Sequence, residues 1–588
     1  MYAKLVKVND QWVRNALERQ VLEPSSRYYG GVTDLFSGIA RPNHVGTVNE
    51  LAVWTTAIVN PDSAYYHDAG LLSAMERCAD FLLNRQHGDG TISLGSTNFH
   101  SPPDTAFVID LVSNMVRLLE QEGWPEFGQV AEKLELFLQR TLPAMLTGGC
   151  HTPNHRWVIT AALALLYERF RDPALLVRAD EWLAEGMDLT EDGEWTERSN
   201  GIYNAVSDMA LFHAARVLQR PELLEPVRRN LRMMVYLVHP SGEVVTDYSG
   251  RQDYGHAATM ANYFLICRLM AAHDQDPLFA AMADYACSFL IRSGEADSRS
   301  LPNGQAMMAY LLYPESSIDG LERAPLPQQY EKILNAGYPM KDNLRKMEGV
   351  GHHSQIHHSK MHTAFGSPLV RIRDQEDSVT IMTGAPSFFS LRHGKADLLG
   401  VKLSTSFSPG IVAFDEFAAA DGEYKLAKTM EKGYYGPVHR SMLPDSRGIN
   451  ETSPWYLLPH QERPLTHLQQ HRLEAQVSRD GEEWIFHVKS DELEDVYTQL
   501  TFIFGANGCL SGEGLEPVNG HQFFFKSGSL LYTEGQDTIE ISGGAYEHWL
   551  PVLREDRHPA GNGCRYAHIN LITPFERTFI VRLGTKQE

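Results

Sequence analysis

Four stretches of the chain open on a glycine-bearing turn and continue with the same kinds of polar side chain. Gly88-Asp-Gly90 is followed by Asn98, His100 and Asp104, and Gly148-Gly149 by His151, Asn154, His155, Arg156 and Trp157. Asp192-Gly193 leads to Trp195, Arg198, Asn200, Tyr203, Asn204 and Asp208, and Ser241-Gly242 to Asp247, Tyr248, Arg251, Asp253, Tyr254 and His256. His155 and Tyr203 stand 48 residues apart, close to the spacing of the turns, so repeats of equal phase put them on neighbouring units facing one groove. Asn, His, Tyr and Arg converging among aromatic rings suit an oligosaccharide: sugar faces stack on rings, and hydroxyls and carboxylates take the hydrogen bonds. Asn154, His155 and Tyr203 are the candidates for chemistry. Asn98, His100, Trp157, Arg198, Asn204, Arg251, Tyr254 and His256 are the candidate sugar contacts.

Each has a plainer use. Asn154 precedes an apolar helix and can serve as its N-cap. His155 can be a first-turn surface residue, Tyr203 a packing residue with a satisfied hydroxyl, and Arg251 a partner of Asp247 or Asp253. Their common phase is what favours function over these readings.

A second concentration of imidazoles, His352, His353, His357, His358 and His362, falls within eleven residues. Such density serves metal binding, a catalytic imidazole lining a cleft, or an exposed polar linker.

Helical spacing dominates up to about Tyr313, with Leu71, Leu72, Met75, Ala79, Leu82 and Leu83 forming one stripe and Ile159, Ala162, Leu163, Leu166 and Phe170 another. After about Pro368 the period becomes two: Leu473, Ala475 and Val477 alternate with polar residues, and Asp480-Gly481 turns the chain into Trp484, Phe486 and Val488. Further β-rich runs at 369–374, 379–383, 496–504 and 578–583 predict a large antiparallel sandwich. Pro314–Met347, rich in proline and charge, reads as the linker, giving a helical catalytic domain over 1–340 and a β-sandwich over 341–588. The glycine turns, with Asn303-Gly304 as the last, recur every 45–60 residues or so, each interval holding two helices. Helical hairpins of that number build an open solenoid or a closed α/α toroid, and the sandwich partner and loop chemistry favour the toroid.

The 588 residues are 43% apolar and 21% charged, an ordinary globular composition, with a net charge of -22. That sign argues against nucleic acid or an anionic membrane surface as partner. The first twenty residues lack the apolar core and cleavage site of an export signal, and no run approaches a membrane span, the longest being short stretches such as Ala161–Leu166. Six scattered cysteines without CxxC spacing fit reduced thiols, so a cytoplasmic location is expected. Asp415, His439 and His487 are candidate ligands for a structural divalent metal in the β-domain; otherwise no cofactor is required.

The segments GGCHTPNHRW (148–157) and IYNAVSD (202–208), with a helical half followed by a β half, resemble the heparinase II/III-like polysaccharide lyases and the related alginate lyases. The resemblance implies an incomplete α/α toroid joined to an antiparallel β-sandwich, and elimination at a uronic acid residue. It matches Asn154 or His155 to the Asn/His facing the uronate carboxylate, Tyr203 to the tyrosine acid/base, and His357 or His358 to a histidine contributed from the junction. The chemistry is coherent. The C5 proton of a uronate is acidified by the adjacent carboxylate, so a neutral or cationic hydrogen-bonding group there stabilises the enolate-like intermediate, a role open to Asn154, His155 or Arg251. A Tyr and a His can then share removal of the proton and protonation of the departing O4. The expected function is β-eliminative cleavage of a uronate-containing oligosaccharide or polysaccharide. Its rivals are a toroidal glycoside hydrolase using Asp104, Asp208 or Asp253 as general acid and a non-catalytic carbohydrate-binding protein.

Overall fold

The computed structural model describes residues 1–296, 303–314, 316–350, 362–443, 455, 458–553 and 563–586. The chain divides into a helical unit, Met1–Tyr330 with Gly337–Gly366, and a β unit, Glu331–Ala336 with Ser367–Glu588.

The helical unit consists mainly of α1 (Tyr2–Glu18) and five successive helix pairs: α2 (Thr47–Ile58) with α3 (Ala69–Arg85), α4 (Pro102–Glu122) with α5 (Gly128–Thr147), α6 (Pro153–Phe170) with α7 (Pro173–Leu183), α8 (Tyr203–Leu218) with α9 (Leu224–Met234), and α10 (Phe264–Asp274) with α11 (Pro277–Ala296). The first members pack in series, α2 on α4, α4 on α6, α6 on α8 and α8 on α10, and each second member backs its own partner. Helix α1 packs on both α2 and α11, between the last pair and the first. Five pairs and one single helix make an incomplete α/α toroid. The inner helix α6 shows no exposed polar face, being buried without interruption from Asn154 to Leu166.

Local chemistry sets where these helices begin. Ser101 caps α4, its hydroxyl accepting from Asp104 N at 3.2 Å, and Pro102 occupies the first helical position, where no amide donor is missed. Proline starts α6 and α7 in the same way. The recurring glycine of the turns has a steric cause. Gly90 and Gly193 lie at φ +84° and +102°, and a Cβ on either would stand 2.0 or 2.3 Å from the carbonyl oxygen of Arg140 or Arg229.

The β unit holds a ten-stranded and an eight-stranded sheet among its described residues. Gln522–Phe525 runs parallel to Arg565–Ile572 and Tyr546 bridges Asn570 in parallel, whereas pairs such as Leu465–Asp480 with Glu483–Ser490 are antiparallel. The hairpin at Asp480-Gly481 is present, with Glu483 opposite Asp480 and Gly481 at φ +63°. Leu473, Ala475, Val477, Trp484, Phe486 and Val488 all enter the core between the sheets, where Phe389 meets Phe486 with ring centroids 4.7 Å apart.

Three expectations change. The stretch Pro314–Met347 is not an unstructured linker: Gln329–Leu334 is an edge strand of the ten-stranded sheet, and Met340–Val350 is helix α13, which follows the short α12 (Met308–Leu311). The units divide near 366/367 instead of 340, with Glu331–Ala336 reaching ahead into the β unit. The strand QYEKIL, with adjacent charges at Glu331 and Lys332, has no sustained apolar alternation to announce it. The β-domain metal ligands do not converge, since Asp415 pairs with Lys428, His439 Nδ1 meets Ser441 Oγ at 2.7 Å, and His487 Nε2 meets Glu576 at 3.0 Å. No group of three His, Cys, Asp or Glu able to hold a metal occurs among the described residues. All six cysteines are free thiols, and no described helix is long and apolar enough to cross a membrane.

Candidate functional site

The inner helices of the toroid surround a cavity of about 1350 Å³. Side chains enter it at helical intervals: Asp104, Phe107 and Asp110 from α4, His155, Val158 and Ala161 from α6, and Tyr203, Val206, Ala210 and His213 from α8. Arg251, Asn98, His44 and His362 join them from loops.

Tyr203 is the first residue of α8, and its position is fixed by the loops before it. The Asp253 carboxylate accepts from Ser199 Oγ and Gly201 N, both at 2.9 Å, and from Ser249 Oγ, tying the 199–201 turn to the 249–253 turn. Ser199 Oγ in turn accepts from Tyr203 N at 3.2 Å. Across this link the Arg251 guanidinium lies over the Tyr203 ring, 4.7 Å from its centroid. Its Nη1 pairs with Glu197 Oε1 at 2.5 Å, and Glu197 Oε2 accepts from the Asn154 backbone N at 2.9 Å and from Asn154 Nδ2. Burial raises the Tyr203 pKa, and the Arg251 charge opposes that rise. Burial also raises Glu197, against the pull of Arg251 and Asn154.

His155 lies edge-on to His151 at 4.8 Å and to Phe107 at 6.3 Å between ring centroids. Burial, aided by the nearby His151 and Arg251, pushes its pKa down from 6.5 to about 3, so its imidazole is neutral. Its Nδ1 has no hydrogen-bond partner among the described residues. His44, stacked on Phe107 at 4.2 Å, is lowered by burial to about 4 despite Asp104 nearby.

Of the residues singled out in the sequence, the structure brings His155, Tyr203, Arg251 and Asn98 to the cavity wall. Asn154 lies behind the wall, 1% exposed, with its amide donor on Glu197. Trp157 is fully buried, its indole N–H on Asp188 at 2.9 Å and Arg156 against its ring at 4.0 Å. Asn204 is buried between helices, donating to Asn200 Oδ1 at 3.0 Å. Arg198 is buried over the Tyr248 ring with Glu194 3.3 Å away. His100 is exposed, stacked on His87 and bonded to Asp89. Tyr254 and His256 lie off the cavity, the latter exposed. His352, His353, His357 and His358 fall outside the described residues, while His362 of the same cluster lines the cavity. The hydrolase candidates divide: Asp104 faces the cavity, whereas Asp253 is committed to the loops and Asp208 is fully buried against Trp195 Nε1 at 3.0 Å.

Sequence reading passed over Glu197, Phe107, His44, Asp110 and His213. Glu197 was within reach, standing beside Arg198 in the third polar stretch, and Phe107 follows Asp104 by three residues on the same face. His44 and His213 carry no local signal.

No protein-family model matches the chain, and no curated protein matches it either. Solved structures do. A heparinase III crystal structure is 10% identical with a TM-score of 0.51, the alignment covering 100% of this chain and 85% of that one. A Paenibacillus xanthan lyase is 7% identical with a TM-score of 0.54, covering 99% of this chain and 57% of that one. The chain has the fold of this heparinase and polysaccharide-lyase group, an N-terminal incomplete α/α toroid followed by a β-sandwich.

Proposed function

We propose that the protein is a polysaccharide or oligosaccharide lyase that breaks a glycosidic bond at a uronate by β-elimination. The observation that carries this is the arrangement of Tyr203 beneath the Arg251 guanidinium, 4.7 Å from ring centroid to Cζ, on the wall of a cavity that is also lined by a neutral His155. The heparinase III and xanthan lyase likenesses in fold support it.

On this reading Tyr203 removes the C5 proton as phenolate and returns a proton to the departing O4, one group acting as base and then acid. A phenol in a buried site resists ionisation, and the Arg251 cation over its ring counters that cost. His155, a neutral imidazole on the cavity wall, provides a hydrogen bond toward the uronate carboxylate, where negative charge grows as the proton leaves. Asn154 acts one step back: it holds Glu197, which holds Arg251. No step calls on an organic cofactor.

A hydrolase would need two carboxylates flanking a sugar ring. Asp104 and Asp110 both reach the cavity, but they project from one helix and so occupy one wall. The test is to incubate the protein with uronate-containing glycans and follow the ultraviolet absorbance of the C4=C5 bond conjugated to the carboxylate. A rise supports the lyase, while release of reducing ends without absorbance contradicts it.

A further inference from the structure

Tyr203 and Arg251 come from different loops of the helical unit, yet their backbone amides lead to one atom. Tyr203 N donates to Ser199 Oγ and Arg251 N to Ser249 Oγ, both at 3.2 Å. Each serine passes the bond on: Ser199 Oγ, at 2.9 Å, and Ser249 Oγ both donate to Asp253 Oδ1. The other carboxylate oxygen, Oδ2, accepts from Gly201 N at 2.9 Å. A two-armed bridge, amide to serine to carboxylate on each side, thus joins the first residue of α8 to the arginine stacked on it.

The bridge is shut off from solvent, with Ser199, Ser249 and Asp253 all buried. The loops also touch backbone to backbone. Gly250 N donates to Arg198 O at 3.2 Å, and a Cβ on Gly250 would stand 2.7 Å from the Glu197 carbonyl oxygen. The bonding pattern calls for a carboxylate. Each serine oxygen accepts an N–H, so its own proton is left to donate, and two hydroxyl protons with one amide proton need three acceptor sites on a group that carries no donor. Aspartate meets that requirement and asparagine does not.

A guanidinium on a flexible stem stays above a ring only when both its far end and its backbone are held. Glu197 holds the far end of Arg251. We infer that Asp253 is a positioning residue, which keeps the Arg251 guanidinium over the Tyr203 ring through Ser199 and Ser249. It lies off the cavity wall and so acts without touching a substrate. The bearing of Asp253 on proton transfer rests on the lyase reading; its hold on the stacked pair does not.

The test has a structural and a kinetic arm, both on the full chain. Crystal structures of the parent, Asp253→Asn and Ser249→Ala are compared first. Asp253→Asn puts an amide N–H₂ where an acceptor is needed, and Ser249→Ala cuts the Arg251 arm alone. In both variants the guanidinium is expected to leave the ring, its Cζ moving beyond the roughly 6 Å over which a cation–π contact acts. A stack that persists in Ser249→Ala, or in a folded Asp253→Asn, overturns the inference; if Asp253→Asn does not fold, Ser249→Ala decides. The kinetic arm uses a uronate glycan that the parent converts to unsaturated product. Both variants should lower kcat/KM at pH 7 by about fivefold or more and move its rising limb to higher pH, with KM within about threefold of the parent. In an Arg251→Gln background neither should move the limb further, because the group that the bridge positions is gone. An unmoved limb, or an equal shift in that background, overturns the positioning role and leaves Asp253 a structural residue. An opened stack in a chain whose parent turns over no uronate glycan supports the hold on Arg251 and counts against the lyase reading instead.

Discussion

Arg251 and Tyr203 form a stacked pair, guanidinium over phenol at 4.7 Å, and the same guanidinium is anchored from behind by Glu197. The cation opposes the rise in phenol pKa that burial causes. Removing it in Arg251→Gln takes away the main opposition to burial, so the Tyr203 pKa rises further and the base form appears only at higher pH. The rising limb of the kcat/KM profile against pH is expected to move to higher pH, with kcat/KM at pH 7 lower by about tenfold or more. A profile displaced vertically with its limb unmoved would separate Arg251 from the ionisation of Tyr203.

His155 makes a second, independent prediction. Its folded-state pKa is depressed from 6.5 to about 3, so the stability that it contributes is complete above 6.5 and is lost as pH falls toward 3. In that window the loss is at most about 1.4 kcal/mol per pH unit. His155→Gln, which cannot charge, should flatten the fall in unfolding free energy between pH 6 and pH 4, measured by denaturant titration. Parallel curves for the two proteins would mean that His155 titrates normally.

Trp157 separates packing from sugar binding. It is fully buried, with its N–H on Asp188. Trp157→Phe removes that hydrogen bond and part of the ring, and should lower stability by about 1–3 kcal/mol. KM for a turned-over glycan should stay within about twofold, since the side chain does not reach the cavity. A raised KM with an unchanged melting temperature would return Trp157 to the binding site.

These residues also mark how far the sequence could be read. The helical half, the β half and the hairpin at Asp480-Gly481 were legible because apolar period and turn chemistry are local. Within the site, the common phase of the turns picked out His155, Tyr203 and Arg251, which all line the cavity. It failed for Trp157 and Asn204, for a geometric reason. At 3.6 residues per turn, neighbours one or two positions apart point about 100° and 200° away. When His155 and Tyr203 face the cavity, Trp157 and Asn204 must face other helices, and a polar cluster contiguous in sequence cannot all converge. In an inner helix buried on every side, no amphipathic stripe tells which face is the lumen. Asp110 and His213 were illegible because their meaning lies in the pairing of α4 with α8 across the cavity, 103 residues apart in the chain.

The central claim is that the Tyr203 hydroxyl transfers the proton, and Tyr203→Phe tests it by removing one oxygen and leaving the ring under Arg251. With a glycan that the parent protein turns over, kcat is read from the absorbance of the unsaturated product, alongside thermal melting of both proteins. The account predicts a fall in kcat of ~10²–10⁴, the usual contribution of a general acid–base group, with a stability change of only about 1 kcal/mol. A folded Tyr203→Phe protein that keeps more than about a tenth of the parent kcat would contradict it, because that loss is too small for the group that moves the proton.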